Sequence, residues 1–325
     1  MTYAWPKAVL LAALAFLLCL DLAPVRHAVV VGMGDCAVRQ FVHLPGHVDM
    51  MALGSSRVRA AVSTQAIAAA SGGVMSANFN LGRSGLSAMR SYVTLRDTLD
   101  RGVRPRVVVL EIDLDALQRR DADGRVRLPL HAAIMRWHDI GLLLDLHSDL
   151  STVERWRLVL LAAAAKVRGA IIPMLGGAPV TGQLGIDAPV ADCQAGLDAE
   201  QARQGVTELA ERRRTAQAAL REIALAPADA PARREELFFV ERVRALCLAH
   251  GIGLVVVRPG AAYEPVLSPR ALADVRALVP EFDEPPAALV QAAWAEFLDA
   301  SHMGPGARER YSVWLTGRML EAARS

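Results

Sequence analysis

Short apolar runs and longer amphipathic stretches alternate along most of the chain. Val48-Asp49-Met50-Met51-Ala52-Leu53, Val107-Val108-Val109-Leu110-Glu111-Ile112 and Gly253-Leu254-Val255-Val256-Val257 are short, mostly apolar and rich in β-branched residues. Runs of this kind read as strands buried on both faces, as in parallel sheets. Between and after them lie stretches with helical spacing: 58–70, 88–100 (ended by Gly102 and Pro105), 235–250 (closed by Gly251), 288–298 and 307–323. Gly and Pro at those ends are ordinary helix stops. Strand and helix in alternation predict an α/β fold, a three-layer α/β/α sandwich around a parallel sheet. Leu110 and Val256 should then sit in buried central strands.

Two regions break the alternation. Over 119–232 the pattern turns helical, with stretches at 142–150 and 152–168, a Gly- and Pro-rich segment at 171–196 and a charged helix at 198–225. This reads as a helical insertion, either a cap over a site or a solvated decoration. Arg212-Arg213-Arg214 fits a wet helix face. At the N-terminus, residues 8–20 are uninterruptedly apolar, preceded by Lys7 and followed by Asp21. Thirteen residues suit a signal-peptide core, but Tyr3, Ala4, Trp5, Leu22 and Ala23 extend the stretch toward spanning length. No small-x-small cleavage site follows, and Cys19 lacks the small residues that precede a lipoprotein cysteine. The expectation is an uncleaved single-pass anchor at 1–27, with 28–325 outside the cytoplasm, periplasmic or extracellular.

Composition narrows the classes. The chain has 325 residues, 53% of them hydrophobic, enough for one large α/β domain. A net charge of +2 gives no reason to expect nucleic acid as a partner. None of Cys19, Cys36, Cys193 and Cys247 forms a C-x-x-C pair, so a zinc knuckle or dithiol centre is not expected. Outside the cytoplasm a Cys36–Cys193 pairing stays open. Gly32-Met33-Gly34-Asp35-Cys36-Ala37 follows an apolar run and fits a dinucleotide fingerprint, but no acidic residue closes a second strand where one is needed. His138, Asp139, Asp145, His147 and Asp149 are metal-binding types without the spacing of a helical zinc motif. Neither a metal nor a cofactor is expected.

The candidate chemistry starts at Leu53-Gly54-Ser55-Ser56-Arg57-Val58. A small-residue turn between strand and helix lets a serine hydroxyl stand clear of the backbone and leaves N–H groups at the helix start. The plainer reading is an ordinary N-cap by Ser55 or Ser56. Near the other end stands Asp299-Ala300-Ser301-His302. A serine needs a base, histidine is the usual one, and a carboxylate fixes its tautomer. Asp and His three apart can face the same way, although a surface pair near a helix start has the same spacing.

These segments, with Asn80-Leu81-Gly82-Arg83-Ser84-Gly85 between them, resemble three of the four blocks of the SGNH (GDSL-like) hydrolase superfamily, which carries a G-D-S turn, a glycine loop, a G-x-N-D block and a C-terminal D-x-x-H. The resemblance covers about 48–115 and 238–320. It implies Ser56 as nucleophile, His302 as base and Asp299 as its orienting acid. It further implies oxyanion donors at the backbone N–H groups of Ser56 and Gly85, with Gly82 as the alternative to Gly85. Block three departs from the pattern: Glu111-Ile112-Asp113 stands where the family has an asparagine, and an ionised Asp113 would repel an oxyanion. Asn80 is the candidate replacement donor. Ser55 also replaces the family aspartate. The chain looks most like the membrane-anchored branches that act on cell-envelope polymers. That implies an extracytoplasmic serine esterase or O-acyltransferase working on an acylated glycan or small acyl ester, with a membrane acyltransferase as a possible partner. The alternative is a non-catalytic accessory or binding protein that keeps the fold.

Overall fold

A computed structural model of the chain describes residues 15, 40–41, 44–82, 88–112, 136–146, 150–174, 234–259, 269–286, 288–289, 296 and 302–324. The chain divides into two compact units, one of residues 1–42 and 121–188, the other of 43–120 and 189–325.

The second unit is built on a five-stranded, all-parallel sheet: β1 (His47–Leu53), β2 (Asn78–Asn80), β3 (Arg104–Glu111), β4 (Gly253–Val257) and β5 (Phe282–Asp283), in the order β2-β1-β3-β4-β5. Its helices are α1 (Ser56–Ala61), α2 (Thr64–Ala70), α3 (Ala88–Asp100), α6 (Arg234–Ala249), α7 (Pro269–Leu278) and α8 (Pro305–Ala322). Ala52, Val109 and Val255 lie in one register row across the three central strands. Leu110 and Val256 are neighbours in the next row, and both are fully buried. The β-branched runs therefore lie where both faces of a strand are covered.

One face of the sheet presents Met50, Ala52, Val107, Val109, Val255 and Val257 to Val58, Ile67, Tyr311, Leu315 and Met319 of α1, α2 and α8. Alternate residues point the other way. On that side α3 and α6 pack on one another and on β3 and β4, with the Tyr92 and Phe239 rings 5.8 Å apart. Each fully buried Val, Leu or Met is worth about 1.5–3 kcal/mol relative to exposure, so the helices are held mainly by these two apolar faces.

The single helix expected over 58–70 is two helices. Val62 is extended and caps α1, and Ser63 starts α2 by accepting from the Ala66 N–H at 3.2 Å. The last carbonyls of a helix need donors. Asn80 supplies them, with its Nδ2 2.8 Å from the Val62 carbonyl and 3.1 Å from the Val58 carbonyl. Three elements escaped the sequence pattern. β2 pairs with Met50, Met51 and Ala52 of β1 although Asn78-Phe79-Asn80 reads as loop. α7 buries only Ala271 and Val275, and β5 has two residues. Elements this short carry too few alternations for a period to show.

The first unit contributes α4 (Trp137–Leu146) and α5 (Thr152–Met174) among the described residues. α4 starts earlier than the pattern suggested and α5 runs past 168. Ser151 and Glu154 form a reciprocal cap at the start of α5: Ser151 Oγ lies 3.4 Å from the Glu154 N, and the Ser151 N–H donates to Glu154 Oε2 at 2.9 Å. Lys166, 2% exposed, stands over the Trp137 ring at 5.2 Å. Among the described residues no helix is long and apolar enough to cross a membrane. The apolar run at 8–20, apart from Ala15, lies outside them, as do the segments expected at 171–196 (beyond the end of α5) and 198–225.

A buried carboxylate on β1 makes acid stability testable. Burial alone would raise the Asp49 pKa. The N–H groups of Ala77 and Ser76, with His47 beside it, outweigh burial and hold it below its ordinary 3.8. A depressed folded-state pKa contributes stability that is complete above the unfolded value and is lost as pH falls through the folded one. Asp49→Asn should therefore flatten the acid loss of stability below about pH 4, read from urea midpoints at stepped pH. An unchanged slope would show that Asp49 carries none of it.

Candidate active site

The strand order reverses direction between β1 and β3: the chain leaves β1 toward β2 on one side and leaves β3 toward β4 on the other. In open parallel sheets such a point leaves a crevice at the carboxyl ends of the strands. Gly54-Ser55-Ser56 lies at the end of β1, and Glu111 closes β3 beside it. Ser55 is extended and N-caps α1, its Oγ accepting from the Arg57 N–H at 3.1 Å. Ser56 is thereby the first helical residue, and it is half-buried. Its N–H has no acceptor among the described residues.

Glycine at 54 is required by the strand next door. A Cβ there would stand 2.5 Å from Glu111 Oε2 and 2.6 Å from both Glu111 Cβ and Val58 Cγ2. The close approach lets Glu111, 4% exposed, take the Ser55 N–H on Oε2 and the Ser55 hydroxyl on Oε1 at 2.9 Å. Arg57 Nε lies 3.3 Å from Oε1.

His302 arrives from the far end of the chain. It precedes buried Met303, then Gly304, the N-cap of α8, and Pro305 in the first turn. α8 is bound to α1 and α2 through Ser312, whose Oγ accepts from the Ser63 N–H at 2.8 Å and lies 2.7 Å from the Arg308 carbonyl and 3.2 Å from the Ala61 carbonyl. Tyr311, Leu315 and Met319 of the same helix enter the core. The outcome is that His302 Nε2 stands 2.8 Å from Ser56 Oγ, across 246 residues of sequence. At that distance the imidazole can take the hydroxyl proton if Nε2 is the unprotonated nitrogen, which leaves Nδ1 for a carboxylate.

The structure thus brings Ser56 and His302 together. Asp299, Gly85 and Asp113 lie outside the described residues. Asn80 is a correction. It was expected as an oxyanion donor, but its Nδ2 faces the Val58, Arg59 and Val62 carbonyls and its Oδ1 accepts from the Gly82 N–H at 3.0 Å. Both amide hydrogens are spent on α1, and the alternative donor Gly82 is spent on Asn80. Gly82 nonetheless bears on the site from outside the chemistry: a Cβ there would lie 2.6 Å from the Arg59 N and 2.9 Å from the Ser55 O. Glu111 is the residue beside the serine turn that the motif spacing does not mark, although it holds Ser55 and Arg57. The signal was present as a carboxylate ending an otherwise apolar buried strand, where a charge needs a partner.

Cys247 is buried, and burial, with Glu281 adding, pushes its thiol up to about 12, so it is not a nucleophile near neutral pH. Among the described residues no His, Cys, Asp and Glu cluster is fit to hold a metal. Of the acidic and histidine group in the insertion, Asp139 caps α4 by accepting from the Arg136 N–H at 2.7 Å, while His147 and Asp149 lie outside the described residues, as does the 32–37 fingerprint.

Tyr311 lies fully buried behind the turn, and its hydroxyl has no hydrogen-bond partner among the described residues. Burial first, and the Glu111 carboxylate second, raise its pKa well above the ordinary phenol value. An orphaned buried hydroxyl costs about 1–3 kcal/mol. Tyr311→Phe is therefore expected to stabilise the fold by about 1 kcal/mol, seen as a higher urea midpoint; a lower midpoint would mean that the hydroxyl is bonded.

No protein-family model matches the sequence, and no curated protein matches it.

Proposed function

We propose that the protein is a serine esterase or O-acyltransferase of the SGNH type, with Ser56 as nucleophile and His302 as base. The observation that carries this reading is the 2.8 Å approach of Ser56 Oγ to His302 Nε2 at the carboxyl edge of a parallel sheet. Ser56 Oγ attacks the acyl carbonyl while its proton passes to His302 Nε2. The tetrahedral oxyanion is met by the Ser56 N–H, with the Gly85 N–H as the second donor. His302 returns the proton to the departing alkoxide, leaving an acyl-Ser56 ester. Water or a sugar hydroxyl, deprotonated by the same nitrogen, then takes the acyl group and restores the serine. Asp299 orients His302 and steadies its cation. No metal or cofactor enters these steps.

The sheet and its helices form a three-layer sandwich in this reading, with 119–232 as an insertion and 1–27 as a membrane anchor placing the domain outside the cytoplasm. The substrate is an acylated envelope glycan or a small acyl ester, and the acyl donor is supplied by a membrane acyltransferase. The motif order supports the substrate class. One observation favours the accessory alternative: the Asn80 amide and the Gly82 N–H are both committed within the fold, which thins the oxyanion donors. Turnover of a chromogenic acetyl ester, followed by acetyl transfer from it to a glycan, separates the two. Release of the chromophore at rates abolished by Ser56→Ala supports the enzyme; background rates throughout favour the binding protein.

A further inference from the structure

We infer that Glu111 is a positioning residue for the nucleophile, holding the Gly54-Ser55-Ser56 turn so that Ser56 Oγ meets His302 Nε2. This rests on the serine-enzyme reading above. Three donors converge on one carboxylate: the Ser55 N–H on Oε2, the Ser55 hydroxyl on Oε1 at 2.9 Å, and Arg57 Nε at 3.3 Å from the same oxygen. The three belong to Ser55 and Arg57, the residues on either side of Ser56. The carboxylate holds Ser55 and Arg57, so it acts on Ser56 through the neighbours on either side.

Only a carboxylate suits this place. It offers two acceptor oxygens and no hydrogen. Glutamine, nearly identical in shape, offers one oxygen and an NH2 group, so at least one of the three donors would face another donor. A buried donor left unpaired costs more than an average hydrogen bond contributes. The turn can relieve that only by moving, and it moves with Ser56 attached. The Glu111 side chain also lies over Gly54 closely enough to exclude a Cβ. The glycine, the Ser55 hydroxyl and the carboxylate are therefore one fitted unit spanning the ends of β1 and β3. This accounts for serine at position 55: its hydroxyl donates to Glu111 Oε1 while accepting from the Arg57 N–H.

Misplacing a nucleophile by about 1 Å can lower a rate by about 100-fold. Glu111→Gln is expected to lower kcat on an acetyl ester by about 100-fold with KM within about twofold. The rate constant for labelling of Ser56 by a fluorophosphonate should fall in parallel, although the variant stays folded by circular dichroism. Glu111→Asp keeps two acceptors and should recover part of the loss. A purely structural role would lower the melting temperature and the labelled fraction while leaving the labelling rate constant of the folded fraction at the wild-type value; that result overturns the inference. If Glu111→Gln fails to fold, Ser55→Ala decides. It removes one of the three donors, and a labelling rate about tenfold slower supports the role, whereas an unchanged rate overturns it. A wild-type protein that neither turns over nor labels overturns the enzyme reading and this inference with it; a reactive wild type beside an equally reactive Glu111→Gln overturns the inference alone.

Discussion

Ser56→Ala is expected to lower kcat on a simple acetyl ester by about 10⁴-fold or more, and His302→Ala by a similar factor. The decisive comparison is the double variant. Ser56 Oγ and His302 Nε2 are 2.8 Å apart and, in the proposed steps, perform one proton transfer. Removing either ends that step, so removing both should be no worse than removing one. Additive losses would mean two separate roles. Neither substitution should cost much stability. Both side chains are half-buried, and α8 keeps its place through Ser312 and its core residues.

Gly54→Ala should be strongly destabilising for a single added methyl. Where the backbone and the surrounding space accept a Cβ, alanine for glycine adds up to about 1 kcal/mol by reducing the freedom of the unfolded chain. At position 54 the methyl would stand 2.5–2.6 Å from Glu111 Oε2, Glu111 Cβ and Val58 Cγ2. Glu111 and Val58 are buried, and Glu111 is held by three donors, so neither can yield cheaply. Overpacking wins, at a net cost of about 3 kcal/mol. The loss should exceed the stability change because the fraction that remains folded has its turn displaced. Gly317 in α8 is the control: nothing lies within 4 Å of its Cβ position, so Gly317→Ala should stabilise by about 0.5–1 kcal/mol. Urea midpoints of the two variants moving in opposite directions support the fit at Gly54; equal midpoints would contradict it.

Much of the fold was legible because its central strands are apolar on both faces. Val107 to Leu110 and Val255 to Val257 announce buried parallel strands before any partner is known. The edges were not legible. β2 is strand because its backbone finds β1, not because Asn-Phe-Asn has a strand pattern. The break at Val62–Ser63 depends on Asn80, eighteen residues beyond Val62, turning its amide onto the end of α1. In the site, Ser56 and His302 could be named from turn chemistry and motif order. An asparagine in a glycine loop suggests a donor for substrate, but the Asn80 amide serves the Val58 and Val62 carbonyls at the end of α1. Glu111 was visible as a charge at the end of an apolar strand, but its three partners lie across the β1–β3 ladder, in contacts that no local pattern encodes.

The central claim is that Ser56 is an activated nucleophile. It is tested most directly by the intact mass of the protein after incubation with a serine-directed phosphonate. The account predicts one adduct per chain, mapped to Ser56 by peptide sequencing and absent from both Ser56→Ala and His302→Ala. A folded wild-type protein that gains no mass, or that gains it at a residue other than Ser56, would contradict it.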